Sequence, residues 1–245
     1  GTYFWIAYPQ IEAKPYATTF VNGTRGYEKL ALPITNDIVH PEHGSVAIRF
    51  YVPEGGLVGP RSEKFLLNIG RSGTTWDKAM DLRYDTTTSK LVFATYKDIK
   101  MYGVTISDFT LSTGWHTIVG TWSNMEEKIR LFFDGTKLGE ATVLSTNFPS
   151  SWSLLKIIVG DDGQGGFNDN TYHDFVAFWN RPLTDAEATS IIESPLSVPD
   201  YTAFYDFNNS LNNTNLEYGV KITKGYINAD TIRSGTLAVG NGGTG

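Results

Sequence analysis

The densest collection of hard oxygen ligands in the chain is Asp161-Asp162-Gly163-Gln164-Gly165-Gly166-Phe167-Asn168-Asp169-Asn170. Calcium takes carboxylate, amide and backbone oxygens, and glycines permit the tight wrapping it needs, so Asp161, Asp162 and Asp169 are candidate calcium ligands. The loop lacks the fixed ligand spacing of an EF-hand; a glycine-rich hairpin with solvated charges and no ion is the alternative. His40-Pro41-Glu42-His43 also has ligand-like spacing. Pro41, however, argues for a loop rather than a helix stacking both rings on one face, which weighs against zinc. Glu126-Glu127 lies in an expected turn, where adjacent side chains point apart, and reads as solvated charge rather than an acid–base pair. Gly163 to Gly166 is followed by Phe167 instead of Lys-Ser/Thr, so it is no phosphate cradle. No Gly-x-Ser-x-Gly elbow occurs, and no Ser/His/Asp set stands out.

These loops need elements to position them, and the pattern calls for strands. In Trp115 to Leu138, the residues Trp115, Thr117, Val119 and Thr121 alternate with His116, Ile118, Gly120 and Trp122, the period of a half-buried strand. Ser123 to Glu127 is turn-like and Lys128 to Phe133 alternates again. Asp134-Gly135 then supplies the positive φ of a two-residue hairpin. Further short strands are expected at Val46–Val52, Phe65–Ile69, Met80–Tyr84, Leu91–Tyr96, Leu154–Val159 and Thr171–Trp179, where the sandwich is expected to close. Thr184-Asp185-Ala186-Glu187 fits a capping box, opening a short helix that runs to about Ser194 and stops at Pro195.

The 245 residues suffice for a large core in one main domain. A net charge of -6 and pI near 5.2, with no Lys/Arg cluster interleaved with aromatics, exclude a nucleic-acid surface. With 0 Cys there is neither a disulfide framework nor a thiolate site. No apolar run reaches the roughly 18 residues of a spanning helix, so no membrane insertion is expected. Gly 25, Tyr 13, Phe 14 and Trp 6 beside a single expected helix point to β structure rich in turns.

Three landmarks in order resemble the laminin-G-like, concanavalin-A-like lectin fold. They are Gly44 to Val52, similar to an early sheet strand; Trp115-His116 through Asp134-Gly135; and His173 to Glu187, similar to a closing signature of Asp, strand and Arg-x-Leu-Thr-x-x-Glu. The resemblance covers roughly Gly26 to Ser194. It implies an all-β, two-sheet jelly-roll sandwich with one short C-terminal helix. Asp174 matches the aspartate opening the closing signature, read first as a loop-fixing acceptor and second as a ligand. Such domains often carry a rim calcium, for which the Asp161 loop is the place. Related glucanases carry Glu-x-Asp-x-x-Glu on one strand, which puts two carboxylates on one face; that motif is missing, so no enzyme is expected.

The two ends read differently. Tyr3 to Pro9 is an aromatic run that needs covering, and with the segment to Arg25 it resembles the last strand and exit of a carbohydrate-binding jelly-roll module of phage and prophage tail proteins. From Asp200 the chain is asparagine- and glycine-rich, and its short β-pieces cannot offset their ordering entropy alone. Ile227 to Leu237 and Asn241 to Gly245 resemble segments repeated in phage tail-fibre and tail-tip proteins. The expected organisation is an upstream connecting strand at 1–25, a lectin sandwich at 26–196 and a fibrous oligomerisation segment at 197–245, both ends looking truncated.

Sugar recognition in such folds sets an aromatic ring against the apolar face of a pyranose, with amides and carboxylates on its hydroxyls. Trp76, Tyr84, Tyr96, Tyr102, Phe167 and Tyr172 lie in or beside loops, although each taken singly packs more readily than it binds. Trp76 beside Asp77 and Tyr172 beside Asn170 are the best candidates, with Tyr84 and Asn168 completing the expected site. The expected function is non-enzymatic binding of a bacterial surface glycan by a tail appendage of the virion, carried as a homo-oligomer, a trimer, among other tail proteins. A ligand-free tail or baseplate module, and an accessory module of a secreted bacterial carbohydrate-active enzyme or adhesin, are the alternatives.

Overall fold

The computed structural model describes residues 30–57, 61–71, 76–160 and 172–206, with the short pairs 222–223 and 226–227. The first sheet contains β1 (Leu30–Pro33), β3 (Glu63–Ile69), β4 (Ala79–Asp85), β5 (Lys90–Lys97), β6 (Lys100–Ile106) and β10 (Lys156–Val159). The second contains β2 (His43–Val52), β7 (Gly114–Ser123), β8 (Lys128–Phe133), β9 (Thr136–Thr142), β11 (Tyr172–Trp179) and β12 (Ala203–Asp206). Their orders are β1-β10-β3-β4-β5-β6 and β12-β11-β2-β7-β8-β9, and neighbours pair antiparallel. This is the expected all-β jelly-roll sandwich. A separate two-residue ladder joins β13 (Ile222–Thr223) to β14 (Tyr226–Ile227).

Alternation along each strand explains the core. Ile48, Phe50, Leu82, Phe93, Trp122, Val176 and Phe178 meet between the sheets and are buried. Each such side chain contributes roughly 1.5–3 kcal/mol of transfer free energy. Gly120 lies directly under Phe93: a Cβ there would meet the ring at 2.4 Å. Two core indoles direct their N–H groups to the 39–40 turn, Trp122 donating to His40 O at 3.0 Å and Trp152 to Val39 O at 2.9 Å.

The Asp134-Gly135 hairpin forms as expected, with φ of 46° and 75° at the two residues. The closing segment is explained by one set of bonds. Arg181 donates to both oxygens of Glu187, at 2.9 and 2.7 Å, and Glu187 in turn accepts from Thr184 N at 2.8 Å, completing the capping box of α1 (Asp185–Ser190). Leu183, Ala188, Ile191 and Val198 then pack on Ala47, Val119, Phe175 and Trp179, covering part of the outer face of the second sheet.

Four expectations change. The helix ends at Ser190 rather than about Ser194, because Ile191 turns into the packed cluster and the Ile192 carbonyl is taken by Arg49 and Thr117. The strand expected from Leu154 begins at Lys156, since Ser153 and Leu154 donate instead to Lys78 O and Gly70 O. The second sheet continues past Trp179 to β12, whose inward Ala203 and Tyr205 join the core. β6 went unrecognised because Lys100, Met101 and Gly103 blur its alternation.

Candidate functional site

On β3, Leu67 and Ile69 face the core, so Asn68 between them faces outward; on β4, Met80 and Leu82 face the core and Asp81 faces outward beside Asn68. Phe65, Arg83 and Tyr96 share that outer face, and the connections bring Arg71 and Trp76 onto it. Trp76 stacks on Phe65 with centroids 5.3 Å apart and meets Tyr96 at 5.0 Å. The Arg71 guanidinium lies 3.6 Å from the indole centroid, at cation–π distance.

Below the rings is a polar network. Arg83 donates to Asp81 and to the Tyr96 hydroxyl, and its Nε lies 3.2 Å from Glu63. Tyr96 donates weakly to Asp81 at 3.3 Å. Burial raises the Asp81 carboxyl to about 6, against the opposing pull of the Arg83 charge and hydrogen bond. Burial acts to lower Arg83, but the Asp81 charge overrides it and the net shift is upward. Among the described residues, both amide atoms of Asn68, which is fully buried, lack a hydrogen-bond partner. A buried amide of that kind calls for a polar partner beside it.

The expected site residues separate accordingly. Trp76 is central to the cluster. Asp77 instead braces the scaffold: its Oδ1 accepts from Asp98 N at 2.7 Å and its carbonyl from Ser153 Oγ at 2.6 Å. That brace holds the β5–β6 turn, where Asp98 and Ile99 both have positive φ. Tyr84 is a correction, because strand alternation sends it into the core, where its hydroxyl donates to Phe109 O at 3.1 Å. Tyr96 belongs to the polar network, and Tyr102 packs on the core. Asp161, Asp162, Phe167, Asn168, Asp169 and Asn170 lie outside the described residues, as does the Tyr172 side chain. Arg71, Arg83, Asp81 and Asn68 were not legible as site residues, since only the pairing of β3 with β4 makes them neighbours.

Other candidate chemistry resolves into structure. Pro41 lies in a non-helical turn, as expected, and that turn nevertheless stacks His40 on His43 with centroids 4.3 Å apart. Burial, with the neighbouring His40 charge, lowers the His43 pKa, and His40 Nδ1 accepts from Glu42 N at 3.2 Å. Among the described residues no third ligand completes a metal cluster. Glu126 pairs with Arg130, and Glu127 accepts from Ser145 N at 3.0 Å.

A Ser/His/Asp set does assemble. His116 Nδ1 lies 2.8 Å from Asp134 Oδ2, and Nε2 lies 3.2 Å from Ser112 Oγ. Nε2 is closer still, at 2.9 Å, to the Ser112 carbonyl, which only accepts. The ring is thus held from both sides, by the Asp134 carboxylate and by the Ser112 residue, and the set staples the loop before β7 to the hairpin. Asp134 completes the staple by accepting from Thr117 N at 2.7 Å.

Two antiparallel jelly-roll sheets with a polar-aromatic cluster on one outer face define a lectin-type sandwich. The chain belongs to the concanavalin A-like lectin/glucanases superfamily, whose laminin-G-type profile matches residues 44–189. Comparison with curated protein sequences returns no match. Among solved structures, it is similar to the NanB sialidase of Streptococcus pneumoniae at 13% identity and TM-score 0.53, covering 68% of this chain and 27% of that one. A pentraxin of Limulus polyphemus matches at 13% identity and TM-score 0.51, covering 69% and 77%. The CBM40 module of a Ruminococcus gnavus IT-sialidase matches at 12% identity and TM-score 0.47, covering 62% and 83%. At these identities the likeness concerns the fold alone.

Proposed function

We propose that this chain is a non-catalytic glycan-binding module of a phage or prophage tail appendage, located on the virion and recognising bacterial surface polysaccharide. The observation that carries the reading is the Trp76 cluster on an outer sheet face of a lectin-superfamily sandwich. Trp76, partly exposed, offers an aromatic ring, and the buried Arg71 and Asn68 with the part-buried Arg83 set a polar surround for it. Asp81 is held by Arg83 and Tyr96, so it serves to orient the cluster. The tail context rests on the wording of the two ends, 3–25 and 227–245, which apart from Ile227 lie outside the described residues. The Asp161 loop remains the place for a calcium ion. A homotrimer with other tail proteins as neighbours would let avidity offset weak single-site binding.

The test is a bacterial envelope polysaccharide array probed with the full chain, with and without calcium. Binding that falls about tenfold in Trp76→Ala supports the reading. No binding to any polysaccharide under either condition overturns it. A monomer that still binds glycan would favour an accessory module of a secreted enzyme or adhesin.

A further inference from the structure

The opposite side of the sandwich carries a second aromatic surface. On β2, Ile48 and Phe50 face the core, so Arg49 and Tyr51 face outward; Tyr51 pairs in register with Trp115 and Arg49 with Thr117. The covering cluster around α1 stops short of this end of the sheet, and Trp115 remains 44% exposed. The Tyr51 ring meets the indole edgewise at 5.4 Å, and the Arg49 guanidinium lies 5.4 Å from the indole centroid. Arg49 Nε is 3.1 Å from Asp174 Oδ2, and Arg49 Nη1 donates to Ile192 O at 3.2 Å. Ile192, 47% exposed, forms an apolar shoulder beside the group.

The geometry points to a second glycan site here, built on Trp115 and taking neutral pyranose units. An exposed indole braced by Tyr51 and Arg49 presents a preorganised ring for the apolar face of a sugar. The Arg49–Asp174 pair sets a donor group and an acceptor group side by side, complementary to vicinal hydroxyls. Their charges cancel, which selects no ionic ligand. Asp174 thus acts first as a fixing group, tying β11 to β2 at the bulge between His173 and Phe175. The site lies on the second sheet and the Trp76 cluster on the first, so one chain would engage polysaccharide on two sides. The inference rests on the glycan-binding reading but not on Trp76.

The test is isothermal titration of the full chain with oligosaccharides of neutral glucan, galactan and mannan. Two sites per chain are expected in the native protein and one in Trp115→Ala, which keeps its unfolding midpoint because the ring is half exposed. Trp115→Tyr keeps an aromatic surface and is expected to retain binding within about threefold. In parallel, the Trp115 indole N–H resonance, assigned by its loss in Trp115→Phe, should shift with added saccharide, a readout that does not depend on how the alanine variant folds. If Trp115→Ala binds like the native chain and the resonance stays unmoved while Trp76→Ala loses binding, the second site is overturned and the glycan-binding function stands. If the native chain binds none of these saccharides, the second site is overturned, and the charged members of the envelope array then decide the broader reading separately.

Discussion

Asp81 shows how much a single side chain does on the first sheet. It is 1% exposed, and its carboxylate meets the Arg83 guanidinium and the Tyr96 hydroxyl. Asp81→Ala leaves Arg83, with its side chain 14% exposed, facing only Glu63 of the two carboxylates it now contacts. Breaking a buried pair in this way costs about 3–5 kcal/mol, to be read as a lower urea midpoint. The pH dependence has a definite sign. Burial raises the folded-state pKa from 3.8 to about 6, so the stabilising contribution is complete below the unfolded value and is lost as pH rises through the folded one. Asp81→Asn should flatten the stability curve over that interval, as measured by denaturation at stepped pH.

At the scale of elements, the closing segment behaves as one unit: Arg181 fixes Glu187, Glu187 caps α1, and α1 covers the second sheet. The Arg181 hydrogen bond, supported by Thr184, lowers the Glu187 pKa from 4.5 to about 2. Stability from this group is therefore present above the unfolded value and lost as pH falls through the folded one. Glu187→Gln keeps the shape of the capping box and removes the charge. The expected outcome is a loss of no more than about 1 kcal/mol at neutral pH, since the pair is partly exposed, and a shallower loss of stability on acidification. Thermal unfolding at pH 7 and at about pH 3 checks both parts.

For the whole molecule, the two sheets carry distinct surfaces on their outer faces, and avidity depends on how many copies assemble. The proposed trimer predicts a solution mass three times the 27.1 kDa of the chain in multi-angle light scattering. Polysaccharide binding by that species should weaken strongly when the copies are diluted to monomers. A monomer at all concentrations would remove the fibrous-assembly part of the proposal while leaving the sandwich and its outer faces as described.

The sequence alone determined the strands whose faces alternate cleanly, the Asp134-Gly135 hairpin and the Thr184–Glu187 capping box, because each depends on residues a few positions apart. It also singled out Trp76 from its loop setting. What brought Arg71, Phe65, Arg83, Asp81, Asn68 and Tyr96 to that indole was the pairing of β3, β4 and β5, and what set Trp115 beside Tyr51 and Arg49 was the register of β2 with β7. Tyr84 has the same chemistry as the other ring candidates, yet one step of strand alternation turns it into the core. Local spacing specifies which backbone conformation a segment adopts, whereas the neighbours of a strand side chain come from cross-strand register, which only the assembled sheets decide.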